Sequence, residues 1–160
     1  MKLVLAFIGI AILVWVFAKV LRARARVRPE VRVTVEQIGK VFESLSAAPS
    51  EPAWVVISFT TPDRPRATDA VDLQFFKENG RVGFDWTLVS PRNIQDEERF
   101  LEFARTAGFE PRLQETNGVR YHRVDAGDVL HLCRSLISGL YERPPETEIE
   151  VIYEGFEPKA

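Results

Sequence analysis

The hydrophobic pattern of the chain begins with a run that has no polar side: residues 3–18 (LVLAFIGIAILVWVFA) carry no charge. Counting on through Leu21, with the Lys19 ammonium lifted along its own stem to the surface, gives nineteen residues. At about 1.5 Å each they span roughly 28 Å, close to the hydrocarbon thickness of a bilayer. A surface helix of a soluble fold keeps a polar stripe, and this segment keeps none. The pattern therefore predicts a single transmembrane helix over 3–21, with Trp15 and Phe17 near its charged end, where aromatic side chains favour the interface.

After Pro29 the periodicity changes. Thr34 and Gln37 have the spacing of a capping box, and Val33 and Ile38 that of a hydrophobic staple. Ile38, Val41, Phe42 and Leu45 then recur at helical spacing, predicting a helix over about 35–47. Residues 54–60 (WVVISFT) are β-branched and aromatic, and read as a strand buried on both faces. In the stretch 70–89, Asn79-Gly80 predicts a two-residue hairpin turn. Pairing 78 with 81 sets Phe75 opposite Phe84, Leu73 opposite Trp86 and Val71 opposite Leu88, all on one face. The other face pairs Gln74 with Asp85 and Asp72 with Thr87, and Phe76 lies over Gly83. A helix follows from an Asn93 cap to about Ala107, closed by Gly108 with Phe109 after it. Asn117-Gly118 predicts a second hairpin of 111–115 with 119–124. The stretch Asp125-Ala126-Gly127-Asp128 caps a third helix with Val129, Leu132, Cys133, Leu136, Ile137 and Leu140 inward, stopped by Pro144-Pro145. Residues 148–154 alternate as a last strand.

This order predicts an α+β domain over 33–157, a two-layer arrangement with helices on one face of a mostly antiparallel sheet. Its last six elements, β-α-β-β-α-β, resemble a ferredoxin-like core extended by the first helix and strands. The alternative resemblance is to the α-β-β-β-α-β-β-α order of type III secretion chaperones. Both are analogies of fold and carry no function.

Charge changes the picture of the N-terminus. The chain has a net charge of −2, but six basic residues and no acid precede Pro29. That leaves fifteen basic against twenty-three acidic residues in the remainder, a net of −8. Lys19, Arg22, Arg24, Arg26 and Arg28 form a juxtamembrane collar over 22–32 together with the end of the span. Basic residues resist crossing an energised membrane, so the collar predicts the N-terminus outside and the domain in the cytoplasm, at a cytoplasmic (inner) membrane. The expected contact of residues 3–21 is the lipid bilayer, and the collar is also placed to meet anionic head groups. Two other readings compete. Val16-Phe17-Ala18 resembles a signal-peptide cleavage site, which would export the chain cut after Ala18. The segment also reads, less well, as a buried helix. An acidic body argues against nucleic acid as a partner.

Candidate chemistry is sparse. The single cysteine, Cys133, excludes an internal disulfide, and His131, two residues away on a helix, points to another side. His122 and His131 read as surface histidines and Cys133 as core filler. Gly80, Gly83, Gly118 and Gly127 are too dispersed for a phosphate-cradling loop. Arg112, Arg120, Arg123 and Tyr121 suggest a stacking platform without its aromatic pattern, and read as a solvated strand pair. Glu142, Glu146, Glu148, Glu150, Glu154 and Glu157 read as a solvated edge, with a docking surface for a basic partner as the sharper alternative.

No cofactor, metal or catalytic residue is expected. The function expected is that of a single-pass, membrane-anchored accessory domain of bacterial type that binds a protein partner. An immunity-type protein that neutralises a toxin is a special case of it. The alternative is a small-ligand-binding or enzymatic domain whose pocket opens under the aromatic first hairpin.

Overall fold

The structure, a computed structural model, describes residues 30–49, 52–63, 66 and 69–159. The expected membrane helix over 3–21 and the collar of Lys19, Arg22, Arg24, Arg26 and Arg28 lie outside the described residues. Among the described residues, no helix is long and apolar enough to cross a membrane.

Alternation begins earlier than the sequence reading places it. Glu30–Thr34 (EVRVT) forms β1, so residues 30–32 belong to the sheet rather than to the segment before it. The Thr34 N–H donates to Gln37 Oε1 at 2.9 Å, as the capping spacing predicts, and one tight turn leads into α1 (Ile38–Ser46). β2 (Ala53–Phe59) is not buried on both faces: Ala53, Val55, Ile57 and Phe59 are buried, and the residues between them are half-buried.

Asn79 and Gly80, at φ 52° and 72°, turn β3 (Val71–Glu78) into β4 (Arg81–Thr87). Phe75 pairs with Phe84, Gln74 with Asp85 and Glu78 with Arg81, in the register the alternation predicts. Phe76 lies over Gly83, where a Cβ would overlap its ring. Paired residues stop at Gln74 and Asp85. Beyond them a side chain takes over. Asn93 Oδ1 accepts the Asp72 N–H at 3.1 Å, and Nδ2 donates to the carbonyls of Asp72 and Thr87 at 2.7 and 3.0 Å. Trp86 Nε1 donates to the Asn93 carbonyl at 3.1 Å. Asn93 is fully buried and is not the helix cap expected. Ser90 is: its hydroxyl accepts the Asn93 N–H at 3.2 Å, and Pro91, with no N–H to satisfy, opens the first turn.

The expected helix divides at Asp96 into α2 (Pro91–Gln95) and α3 (Glu97–Thr106). Gly108, at φ 84°, ends α3, and the Phe109 N–H reaches back to the Ala104 carbonyl at 2.9 Å. β5 (Arg112–Thr116) and β6 (Val119–Val124) form the second hairpin, with Glu115 opposite Arg120. Asp128 caps α4 (Val129–Ser135), accepting the His131 N–H at 2.9 Å. The helix then widens over Leu136–Leu140, and the Tyr141 N–H bonds five residues back to the Leu136 carbonyl. Glu142, at φ 51°, ends it before the two prolines are reached. β7 (Glu148–Glu154) follows.

These elements make an α+β fold: a seven-stranded antiparallel sheet, ordered β1-β7-β2-β3-β4-β6-β5, and four helices among the described residues. The full ferredoxin-like arrangement does not form. β6 does lie between β4 and β5, as that arrangement requires. The closing strand β7, however, pairs with β1 and β2 instead of with β4. The free edge of β4 is already held by β3 through the Asn79-Gly80 hairpin, a local closure that no distant strand displaces. From α1 to α4 the order of elements follows the alternative pattern, with β1 and β7 added.

The core lies on one side of the sheet. Phe42 of α1 meets Phe75 edge-on at 4.6 Å between ring centroids, Phe75 meets Phe84 at 4.9 Å, and Phe100 of α3 stacks on Trp86 at 4.4 Å. Leu132, Leu136 and Ile137 are fully buried in the same cluster as Val55, Ile57 and Val151. Each such side chain contributes about 1.5–3 kcal/mol by leaving water. Replacing Asn93 by Ala strands three buried backbone groups and should lower stability by about 2–4 kcal/mol in urea unfolding. A loss under about 1 kcal/mol would show that the carboxamide does not hold β3 to β4.

Candidate functional site

The residues singled out for chemistry do not converge. Cys133 is fully buried, and burial pushes its thiol far above the usual range, so it stays protonated. His131 is exposed on α4. His122 is not a surface residue: it is buried opposite Trp86, with Nε2 2.7 Å from Glu97 Oε1. The alternation of β6 places it inward, but only the pairing of β6 with β4 reveals which way inward is. The expected space under the first hairpin is filled, since Leu73, Phe75, Phe84 and Trp86 are completely buried. Among the described residues, no group of three or more His, Cys, Asp and Glu is placed to hold a metal ion.

One polar cluster was missed by sequence reasoning. Arg92, on α2, is buried, and its Nε donates to Asp96 Oδ2 at 2.6 Å. Its Nη1 reaches Thr61 Oγ1 at 3.3 Å and Asp63 Oδ2 at 3.1 Å. The loosened end of α4 delivers Tyr141, whose hydroxyl donates to the same Asp96 oxygen at 2.9 Å. Arg99 approaches the other Asp96 oxygen at 3.5 Å. Thr61 hydrogen bonding, and then Arg92, hold the exposed Asp63 carboxyl below its ordinary range. Burial, with Asp96 adding to it, pushes the Tyr141 hydroxyl far up, so it remains a neutral donor. An open cleft of about 380 Å³ lies beside the cluster, lined by Thr61, Asp63, Arg99 and Tyr141 among others. Asp96 already accepts from Arg92 and Tyr141 and has Arg99 beside it, so it is poorly placed to act as a base. Chemically the cluster is a closed network that ties the chain after β2 to the helix layer.

The second feature is the sheet face away from the helices. The arginines expected as a solvated pair are split here. Arg120 pairs with Glu115, while Arg123 lies flat on that face, bidentate to the buried Asp85 at 2.9 and 2.8 Å. The Arg123 guanidinium also covers the Phe76 ring at 4.1 Å and the Tyr121 ring at 5.2 Å. Burial raises the Asp85 carboxyl above its usual range, and the hydrogen bonds and charge of Arg123 oppose that shift. On the other side of Phe76 the face is apolar: Trp54 is opposite Phe76 and Val56 opposite Ile152, all four half-buried. Carboxylates flank them. Glu154 lies beside Trp54, Glu150 beside Ser58, and Asp72 beside Ser58 from the other strand. The acids of β7 therefore sit on an interior strand, between β1 and β2, and not on the sheet edge expected.

Comparison of the chain with protein-family models, with curated proteins and with solved structures found no match in any of the three.

Asp96→Asn leaves the buried Arg92 guanidinium with the exposed Asp63 as its remaining carboxylate and should cost about 2–4 kcal/mol. Urea unfolding measures this, and a neutral result would show that the network is dispensable. Asp72 supplies a pH test. Burial, the larger influence, raises its carboxyl above the ordinary 3.8, against a hydrogen bond from Ser58 that lowers it. The folded state thus holds the Asp72 proton more tightly than the unfolded state does. That contribution is complete below pH 3.8 and is lost as pH rises through the folded value. Asp72→Asn should accordingly be more stable than the parent at pH 7, with the gap closing as pH falls below the ordinary carboxylate range. An Asp72→Asn protein less stable than the parent at pH 7 would contradict this sign.

Proposed function

We propose that this protein is a non-catalytic interaction module tethered to a membrane by residues 3–21, with its α+β domain on the cytoplasmic side. The observation that carries the interaction reading is the apolar patch of Trp54, Val56, Phe76 and Ile152 on the sheet face opposite the helices. An antiparallel sheet with one face in water is expected to be polar on that face. Large apolar side chains gathered there, rimmed by polar ones, are the usual mark of a binding surface. The filled hairpin and the mutually satisfied Arg92–Asp96–Tyr141 cluster favour binding over catalysis. The tether reading rests on the uncharged run and on the one-sided charge of the collar from Lys19 to Arg28.

Two measurements test the two parts. A reporter fused after Ala160 should be active in the cytoplasm and fractionate with membranes after alkaline extraction, and removal of residues 1–21 should release it. A mature N-terminus at Lys19, or a reporter active outside, would overturn the tether. For the interaction, a photo-crosslinking residue at Trp54 should trap one discrete partner in cells, whereas one at the exposed Ile94 should not. Equal trapping at both positions would remove the patch from the function.

A further inference from the structure

We infer that the sheet face formed by β1, β7, β2 and β3 docks a basic amphipathic α-helix of a partner protein. This rests on the interaction reading above and adds the chemistry of the partner. On that face the four strands present Glu30, Glu148, Glu150, Glu154 and Asp72, with Arg32 opposite Glu150 and Glu78 paired to Arg123. The apolar patch sits among these acids, and Arg123 closes it on the β4 side. The surface is thus an apolar centre with carboxylates around it, the complement of a helix that carries leucine-like residues on one side and lysine or arginine on its flanks.

The secondary structure of the partner follows from the backbone. β7, β2 and β3 are each paired on both sides, so their N–H and C=O groups are already used. An extended peptide laid on this face would find no main-chain partners, and its own would be stripped of water. A helix satisfies its backbone internally and needs only side-chain contact. The dimensions agree. Three strands at about 4.8 Å spacing span roughly 10 Å, the width of one helix, and the step from Val56 to Trp54 adds roughly 6.6 Å along the strands. Anionic lipid and nucleic acid both present phosphates, which the carboxylates repel.

The test uses the full chain in nanodiscs of zwitterionic lipid, with empty discs as background. The probe is a synthetic helical peptide of about 18 residues, roughly five turns, with leucine on one face and lysine on the other. Its charge-reversed counterpart has glutamate for lysine. The lysine peptide should bind above background and saturate, and the glutamate peptide should not. Glu150→Gln with Glu154→Gln should weaken binding about five-fold, and Trp54→Ala with Ile152→Ala about ten-fold or more. Glu102→Gln with Glu110→Gln, exposed elsewhere, should leave binding unchanged. Circular dichroism checks that each variant is folded, and Glu150→Lys supplies a second disruption should one fail. Absent binding, equal binding of the two peptides, or equal affinity of all variants overturns the proposal. If the lysine peptide fails while Trp54 still traps a discrete partner in cells, the basic helix is wrong and the interaction reading stands. If trapping at Trp54 also fails, both fall.

Discussion

The register of β3 against β4 is locked at both ends, and the remainder of the core is assembled on it. At one end Asn79 and Gly80 take the two left-handed conformations that a tight hairpin needs. At the other, the Asn93 carboxamide occupies the place of a further backbone pair between Asp72 and Thr87. A slip of one residue would send Phe75, Phe84 and Trp86 to the opposite face. Phe42 and Phe100 would then lose the rings they pack on, and α1 and α3 depend on those contacts for their seats. The order of the sheet follows too. With β3 fixed on one edge of β4, β7 finds its edge on β2, and β1 finds its edge on β7.

What was legible in the sequence was local. Both Asn-Gly turns, the Asp128 cap and the Gly108-Phe109 closure rest on contacts within a few residues, and they stand as expected. What was not legible depends on distant partners. Asn93 passes for a helix cap until Asp72, twenty-one residues away, is brought beside it. β1 is five residues long and follows a proline, and only β7, more than a hundred residues later, makes it a strand. Arg92 looks like a surface residue until the end of α4 delivers Tyr141 to the same aspartate. The α+β class was readable because periodicity reports element type. Strand order was not, because periodicity carries no information on which edge is free.

Two arginines of the domain, Arg92 buried and Arg123 half-buried, solve the cost of a desolvated charge differently. Arg92 meets it with polar partners, sharing Asp96 with Tyr141 and bonding Thr61 and Asp63. Arg123 meets it with the bidentate Asp85 below, two aromatic faces around its plane, and Glu78 and Asp125 at 3.8 and 3.9 Å. The planar, weakly hydrated guanidinium suits that stacked position, which the point charge of a lysine would not. The first arrangement closes an end of the sheet, and the second finishes a surface.

That surface is uneven in a way that solvation alone does not explain. On the β6–β5 side the outward residues are Arg123, Tyr121, Arg112, Gln114 and Thr116, with Val119 the one aliphatic side chain, and the Tyr121 hydroxyl is tied to Thr116 and Gln114 at 3.0 and 3.1 Å. This is what an antiparallel sheet facing water is expected to show. On the β7–β2–β3 side the outward positions at the centre are Ile152, Val56, Trp54 and Phe76, with Gln74 beside Val56. They are not needed for the core, which is complete on the other face, and they do not protect an edge, because their strands are interior. Cross-strand packing accounts for part of their burial, since Trp54 adjoins Phe76 and Val56 adjoins Ile152. It does not account for the ring of carboxylates, which isolated apolar pairs have no use for. Apolar centre and acidic flank are the two features of this face on which the proposed docking of a basic helix rests.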